Sequence, residues 1–161
     1  LDVTHRVQTL LQTAFEERGG RVSPDGRWLV YESNSSGRFE VYVRPFPSAS
    51  AGPAIQISTA GGTRAVWARS GRELFFIAPD GPLMAVRVNA RGATWSADTP
   101  TKLFDSRYFT GVEDFLPTYD VAPDGRFLMI KEAGADQSSA LPHIVVVQNW
   151  FEELKRLVPV K

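Results

Sequence analysis

The sequence predicts an all-β fold built from one repeated antiparallel unit. A phrase that reads SPDGRWLVY from Ser23 returns in altered form at Ala68 and again at Ala122. Each copy places glycine-containing turns between short runs rich in aromatic and branched residues, as half-buried strands prefer. A recurrence of this length marks a supersecondary unit that stacks against copies of itself. We therefore expect an array of three similar units.

Each copy opens with a short strand that leads into a tight turn. These first strands are predicted at 20–22, 65–67 and 119–121. The turn is Pro-Asp-Gly in copies one and three, where proline presets φ, aspartate bonds the backbone and glycine tolerates positive φ. Copy two keeps only the glycine, Gly71, which is the residue that turn geometry replaces least easily.

Second and third strands follow the turn in every copy. The second strands are predicted at 28–32, 73–77 and 127–131. After another turn, the third strands are predicted at 39–44, 83–88 and 143–148. Val41 and Val43 alternate with larger or polar residues, which is typical of a strand with one buried face.

The fourth strand is distributed unevenly along the chain. Weaker strands at 54–58 and 101–104 close copies one and two, whereas copy three has none. The segment 6–13 leads into copy one just as 55–59 leads into copy two, so we assign it as the missing strand. The last unit is then divided between the two ends of the chain. At the C-terminal end, the apolar spacing in 149–158 predicts a short amphipathic helix.

Composition excludes several classes of function. With 18 basic and 18 acidic residues the formal net charge is zero, so no nucleic-acid partner is expected. There is no cysteine, which removes disulfides and thiolate metal sites. No apolar run approaches the roughly 20 residues that cross a bilayer, so no membrane partner is expected. The chain begins with leucine and carries no signal-like segment, and we expect an excised domain or a processed product.

Three motifs carry a resemblance to a known family. They are the SPDGRWLVY phrase, the strand FEVYVRPF and the pair GGTR with WARSGREL. They resemble the TolB-like, WD-repeat-like β-propellers of bacteria. More narrowly, 28–47 and 145–151 resemble the C-terminal end of propellers that follow bacterial serine/threonine kinase domains. The resemblance implies a soluble bacterial protein of the cytoplasm or periplasm, built from propeller blades and serving as a non-catalytic platform for a protein or a ligand.

The resemblance also implies a ring that this chain cannot close alone. Family propellers commonly have six blades, and known propeller packing begins at about four. A homodimer is therefore expected, in which the strand near 7–12 of one copy pairs with 143–148 of the other. The predicted architecture is three four-stranded blades, half of a six-bladed ring, with a short C-terminal helix. Within the single half-propeller domain 1–161, the closing strand and lead-in occupy 1–19. The three blades are 20–60, 61–105 and 106–150, and the C-terminal tail is 151–161.

A ligand site is predicted where the first strands begin, at the mouth of the propeller channel. The lead-in loops supply Arg18 and Arg64, and copy three carries an insertion at 105–117. The insertion and loops place aromatic and charged groups of both signs at this mouth. The candidate residues within the insertion are Arg107, Tyr108, Glu113 and Asp114. The same residues also suit a packed loop with internal ion pairs. The partner is either a protein or a small polar ligand.

The competing interpretation is a hydrolase or lyase of propeller type with a carboxylate site at the same mouth. A glycosidase would need two carboxylates about 5–10 Å apart. No catalytic residue is assigned, because the only histidines are His5 and His143 and no G-x-S-x-G elbow is present. Asp25 and Asp124 are interpreted as turn formers rather than metal ligands. No metal and no cofactor is predicted.

Overall fold

The computed structural model describes residues 9–91, 94–105 and 117–130, and these ranges form antiparallel sheets joined by turns. Sheet one contains, in spatial order, β1 (Glu17–Val22), β2 (Trp28–Ser33), β3 (Glu40–Pro45) and β4 (Ile55–Gln56). A short 3-10 helix, Ala49–Ala51, precedes β4. The all-β prediction is confirmed for these ranges. Within them, no helix has the length and apolar character that a membrane crossing requires.

Sheets two and three repeat the same connectivity. Sheet two contains β5 (Thr63–Trp67), β6 (Glu73–Ile77), β7 (Leu83–Arg91), β8 (Thr94–Ala97) and β9 (Thr101–Phe104). The order β5-β6-β7-β9 matches that of sheet one, and β8 pairs with the far end of β7. Sheet three consists of β10 (Tyr119–Val121) and β11 (Phe127–Met129) in the described residues.

The repeated phrase folds into the same turn three times. In each copy the backbone N–H of the turn glycine donates to a carbonyl three residues earlier at 2.9 Å, and the donors are Gly26, Gly71 and Gly125. All three glycines have positive φ, as the turn requires. Copy two keeps more than its glycine, because the Ser70 hydroxyl accepts the N–H of Arg72 at 3.3 Å. Serine there takes the place of Asp25 and Asp124, whose carboxylates accept the equivalent N–H groups.

Two apolar clusters hold the sheets face to face, and a third lies on the outer side of sheet one. Cluster one lies between sheets one and two and contains Trp28, Val30, Val41, Val43, Ile57, Ala65, Trp67, Leu74, Phe76, Val86, Val88 and Trp95. Cluster two lies between sheets two and three and contains Val66, Ala68, Phe75, Ile77, Leu83, Ala85, Tyr119 and Val121, with Phe104, Phe127 and Met129 packed against it. Cluster three lies on the other face of sheet one and contains Leu29, Tyr31 and Tyr42. Sheet two is therefore covered on both faces.

The hairpin of β7 and β8 is absent from the sequence interpretation, which ended the third strand at 88. In the structure β7 continues to Arg91, and β8 pairs with this extension. The buried Trp95 indole explains the extension, because it packs in cluster one at 5.9 Å from the Trp28 ring. An aromatic contact between two sheets thus sets the length of the strand.

Sheet three is paired one residue out of step with the other two sheets. In sheets one and two the first strand pairs Val22 with Leu29 and Trp67 with Leu74. The repeat predicts that Val121 pairs with Leu128, but it pairs with Phe127. A one-residue slip turns every side chain of a strand to the opposite face. Here it places Phe127 in cluster two.

The lead-in segment differs from its predicted strand. Residues 9–13, the described part of the predicted strand 6–13, form no strand in this single chain. Leu10 and Leu11 instead pack against cluster three. A fourth strand needs a third strand to bond with, and the proposed partner strand, 143–148, lies outside the described residues. The C-terminal helix predicted in 149–158 also lies outside them.

Candidate functional site

The first strands of sheets one and two begin at the same end of the array, where β2 brings two of the predicted site residues together. The Nε of Arg18 donates to the Glu32 Oε2 at 3.0 Å, and the backbone N–H of Arg64 donates to Oε1 at 2.5 Å. Arg18 belongs to β1 and Arg64 to β5, so one carboxylate bridges two sheets. Both arginines therefore bond to one carboxylate, and their part in binding a ligand stays a prediction.

Glu32 is completely enclosed and retains both contacts. Its side chain has 0% exposure, and burial raises the pKa of the carboxyl, opposed by the Arg64 N–H and by the Arg18 guanidinium. Desolvation favours the neutral form of a carboxyl, while donors and cations favour the charged form. Because both oxygens are already occupied by protein donors, Glu32 acts as a bridge rather than as a reacting group.

Arg64 occupies a backbone conformation that favours glycine. Both first strands carry a β-bulge, between Arg18 and Arg21 in one and between Thr63 and Val66 in the other. The bulge residue of sheet one is Gly19 at φ 65°, and that of sheet two is Arg64 at φ 57°. A non-glycine residue in this region stores strain of the order of 1–3 kcal/mol, and such positions cluster at functional sites. The arginine is retained there despite that cost.

The first strand of sheet three, β10, lies at the same end of the array. The Tyr119 hydroxyl of β10 donates to the Arg64 carbonyl at 2.9 Å, and burial raises the pKa of this phenol. One sheet earlier, the Trp67 indole N–H donates to the Arg21 carbonyl at 3.1 Å. Strands β5 and β10 therefore each donate a side-chain hydrogen bond to the backbone of the first strand before them. These bonds fix β1, β5 and β10 side by side.

Arg18 forms the accessible edge of this group. Its guanidinium lies 3.5 Å from the centre of the Phe39 ring, and its Nη1 lies 4.0 Å from the Glu16 carboxylate. Its Nη2 is buried and has no hydrogen-bond partner among the described residues. Buried guanidinium donors normally find acceptors. A ligand oxygen that reached this nitrogen would satisfy it.

Two buried glutamates were missed by the sequence interpretation. Glu40 accepts from the Ser58 hydroxyl and, at 2.8 Å, from the Gly61 N–H, so it ties sheet one to the link between β4 and β5. Glu32 stands where the repeat places the buried Ile77 in sheet two. The sequence signal that could have identified Glu32 is that a charged residue stands where copy two has an apolar one. Its partner, Arg64, lies 32 residues away in sequence and has no local signature.

The other predicted site residues are not placed. Arg107, Tyr108, Glu113 and Asp114 lie outside the described residues, so the insertion and its carboxylates remain predictions. Among the residues that the structure describes, no group of three or more potential ligands is arranged to hold a metal ion. No protein-family model matches the chain, and no curated protein matches its sequence.

A cleft at the opposite end of the array is separate from this group. Its volume is about 410 Å³, and it lies between the repeated turns of sheets two and three. The rim carries Arg69, Glu73 and Asp124, and the floor carries Phe75 and Phe127. The first strands begin at one end and reach their turns at the other, so this cleft does not include Arg18 or Arg64.

Proposed function

We propose that the chain is half of a β-propeller of the TolB-like, WD-repeat-like kind, and that it works as a non-catalytic binding module. Two copies make a six-bladed ring, and the ligand binds at the end where the first strands begin. The ligand is a peptide segment of a protein or a small polar molecule. Arg18, whose side chain is 16% exposed, provides the described contact to the ligand, and the buried Arg64 supports it from β5.

One observation carries the proposal. The first strands of three consecutive sheets lie side by side. Strands β5 and β10 each donate a hydrogen bond to the backbone of the first strand before them, and β1 and β5 meet at Glu32. Stacked four-stranded sheets whose first strands are neighbours are the arrangement that surrounds the channel of a propeller. Ligand contacts on such scaffolds concentrate in the loops at one end.

The alternative class, a hydrolase or lyase, lacks support from the described residues. An acid–base pair needs carboxyl groups that a substrate can reach. Glu32 has the raised pKa of a desolvated acid, but it is enclosed and bonded on both oxygens. Glu113 and Asp114, the carboxylates on which that alternative depends, are not described. We therefore propose binding rather than catalysis.

The Arg18→Lys variant tests the binding site. Lysine keeps a cation beside Glu32 but lacks the planar fork that carries Nη2. We expect wild type to bind at least one member of a panel of acidic, basic and mixed-charge tetrapeptides, as measured by titration calorimetry. Arg18→Lys should weaken that affinity about tenfold, since a hydrogen bond to a charged group contributes roughly 1.5–3 kcal/mol.

Arg38→Lys is the matched control, because Arg38 is 65% exposed and pairs with Glu40 at 3.8 Å, whereas Arg18 pairs with Glu32. It should leave peptide affinity unchanged. The proposal fails if no peptide of the panel binds at millimolar concentration. It also fails if Arg18→Lys binds as tightly as wild type while both remain folded by circular dichroism.

A further inference from the structure

The repeated turns of sheets one and two are in contact, whereas those of sheets two and three are apart. A Cβ added at Gly71 would lie 3.8 Å from Pro24 of the preceding turn. A Cβ added at Gly125 would meet no described atom within 4 Å. The gap between the last two turns is the cleft of about 410 Å³, which we call the turn cleft. Its volume is in the range of pockets that hold a small molecule.

The turn cleft is open because a carboxylate replaces an indole in the repeat. Trp28 and Glu73 occupy the same position, since each directly precedes the leucine that pairs with the end of the first strand. Trp28 is buried against Trp95 between sheets one and two. Glu73 alternates with Phe75 along β6, so it faces sheet three and lines the cleft. A charged group thus stands where an aromatic pair seals the other contact between sheets.

The Glu73 carboxylate is the available charge of the turn cleft. It is half-buried, and among the described residues no cation or hydrogen-bond donor contacts it. Arg87 lies directly opposite on β7, but it is exposed and forms no ion pair with Glu73. Asp124, the other carboxylate in the lining, is already paired with Arg126 at 2.7 Å. A partly desolvated carboxylate is stabilised by a cation that takes the place of its lost water.

Two aromatic rings form the floor of the turn cleft. The rings of Phe75 and Phe127 meet edge to face at 4.9 Å, and Phe127 reaches this floor because of the slip of β11. Aromatic rings pack well on other aromatic rings, and their faces attract cations. Arg69 at the rim is exposed, so solvent and salt screen its charge. The lining therefore suits a ligand with an aromatic body and a positive charge.

We propose that the turn cleft binds a small aromatic amine, with the ammonium group on Glu73 and the ring on Phe75 and Phe127. This site is at the opposite end of the array from Arg18, and it depends neither on the ligand proposed there nor on a closed ring. An anion of the same shape would bring a like charge to Glu73. An uncharged analogue would lose the ion pair but keep the ring contacts.

Three probes of similar shape test the ligand class. They are phenethylamine, which is a cation at neutral pH, the uncharged phenethyl alcohol and the anion hydrocinnamate. Titration calorimetry with the whole chain should give a dissociation constant of about 1 mM or lower for the amine, and values about tenfold or more higher for the other two. The proposal is wrong if phenethylamine fails to bind at about 10 mM, or if hydrocinnamate binds as tightly.

Substitutions at Glu73 test the location of the site. Glu73→Gln keeps the size of the side chain but removes its charge, so phenethylamine affinity should fall about tenfold. Glu73→Trp introduces the residue that sheet one has at this position, and it should abolish binding by filling the cleft. Asp80→Asn is the matched control, because Asp80 is exposed in the turn at the other end of β6 and its φ of 64° suits asparagine.

Asp80→Asn should bind phenethylamine as tightly as wild type. If either Glu73 variant does so while folded by circular dichroism, the amine does not occupy the turn cleft. An equal loss of affinity in Asp80→Asn would also overturn the assignment, because it would show a general effect of negative charge. Should Glu73→Gln fail to fold, Glu73→Trp provides the same comparison.

Discussion

Glu32 joins sheets one and two at the end where the first strands begin. It accepts one bond from Arg18 on its own sheet and one from the Arg64 backbone on the next. Removing one partner of a buried charge pair usually costs more than the pair itself contributes. The close fit is visible at Gly19, where an added Cβ would lie 3.0 Å from the carboxylate. Glu32 therefore positions the arginines rather than contacting a ligand.

The raised pKa of Glu32 predicts a pH dependence of stability. Since burial raises the pKa in the folded state, the folded protein holds this proton more tightly than the unfolded chain does. The quantity to follow is the free energy of unfolding of wild type minus that of Glu32→Gln. This difference should fall as pH rises from the ordinary pKa of glutamate to above the raised pKa of Glu32. Urea unfolding of both proteins from about pH 4 to about pH 8 measures this difference.

The subtraction removes groups that titrate in both proteins. Asp25 and Asp124, whose pKa values are lowered mainly by the Ser23 hydroxyl and by the Arg126 N–H respectively, act in the opposite direction. Their contribution is lost as pH falls through their lowered pKa values, equally in both variants. A difference that grew with rising pH would show that Glu32 is stabilised as the charged form and would contradict this account.

Residue-level features were predictable where their cause is local. The turn at Gly26, Gly71 and Gly125 follows from residues adjacent in sequence, and it appears as predicted. The bridge from Glu32 to Arg64 depends on how two sheets stack, so no local pattern announces it. The same reason explains why the buried Glu40 was overlooked.

At the scale of elements, the slip of β11 is explained by aromatic packing. The Phe127 ring lies 4.9 Å from Phe75 and 5.8 Å from Phe104, in edge-to-face geometry with both. Such pairs contribute about 0.5–1.5 kcal/mol beyond the area they bury. In the register of the other sheets, Leu128 would take this position and Phe127 would face outward. The larger ring occupies the enclosed site.

Engineered disulfides test that register. The chain has no native cysteine, so paired substitutions report on it without background. Asp120→Cys with Leu128→Cys should oxidise rapidly, because these residues are directly opposite, and disulfides require close Cβ atoms. Asp120→Cys with Met129→Cys, the pair of the repeat register, should oxidise slowly, and both pairs keep Phe127. The opposite order of rates, measured by thiol titration, would show that sheet three follows the repeat.

The positions of the strands along the chain were easier to predict than the pairing between strands. Strands β1 to β7 and β9 to β11 coincide with or overlap predicted strands, because turn residues and apolar runs mark them locally. The hairpin at β8 and the slip of β11 depend on Trp95 and Phe127 finding partners in other sheets. A repeat predicts equal registers, and only packing between sheets breaks that equality.

At the scale of the whole molecule, three sheets stack in chain order with a cluster between each pair. This stacking leaves the outer sides of sheets one and three at its two ends. The repeat in the sequence predicted the stacking, whereas the six-bladed ring stays a prediction. Residues 9–13 pack on cluster three and form no strand in the single chain, and their pairing with 143–148 of a second copy stays a prediction as well.

Cross-linking between two singly substituted proteins tests the central claim, that a second copy completes the stack. Leu11 packs against cluster three on one side of the stack, and Leu128 is 74% exposed on sheet three at the other side, so each takes one cysteine. An equimolar mixture should oxidise to a covalent dimer of twice 17.8 kDa, whereas either protein alone should give little. If the mixture stays monomeric, or if Leu103→Cys replaces Leu128→Cys with equal yield, the two faces do not meet and the account is wrong.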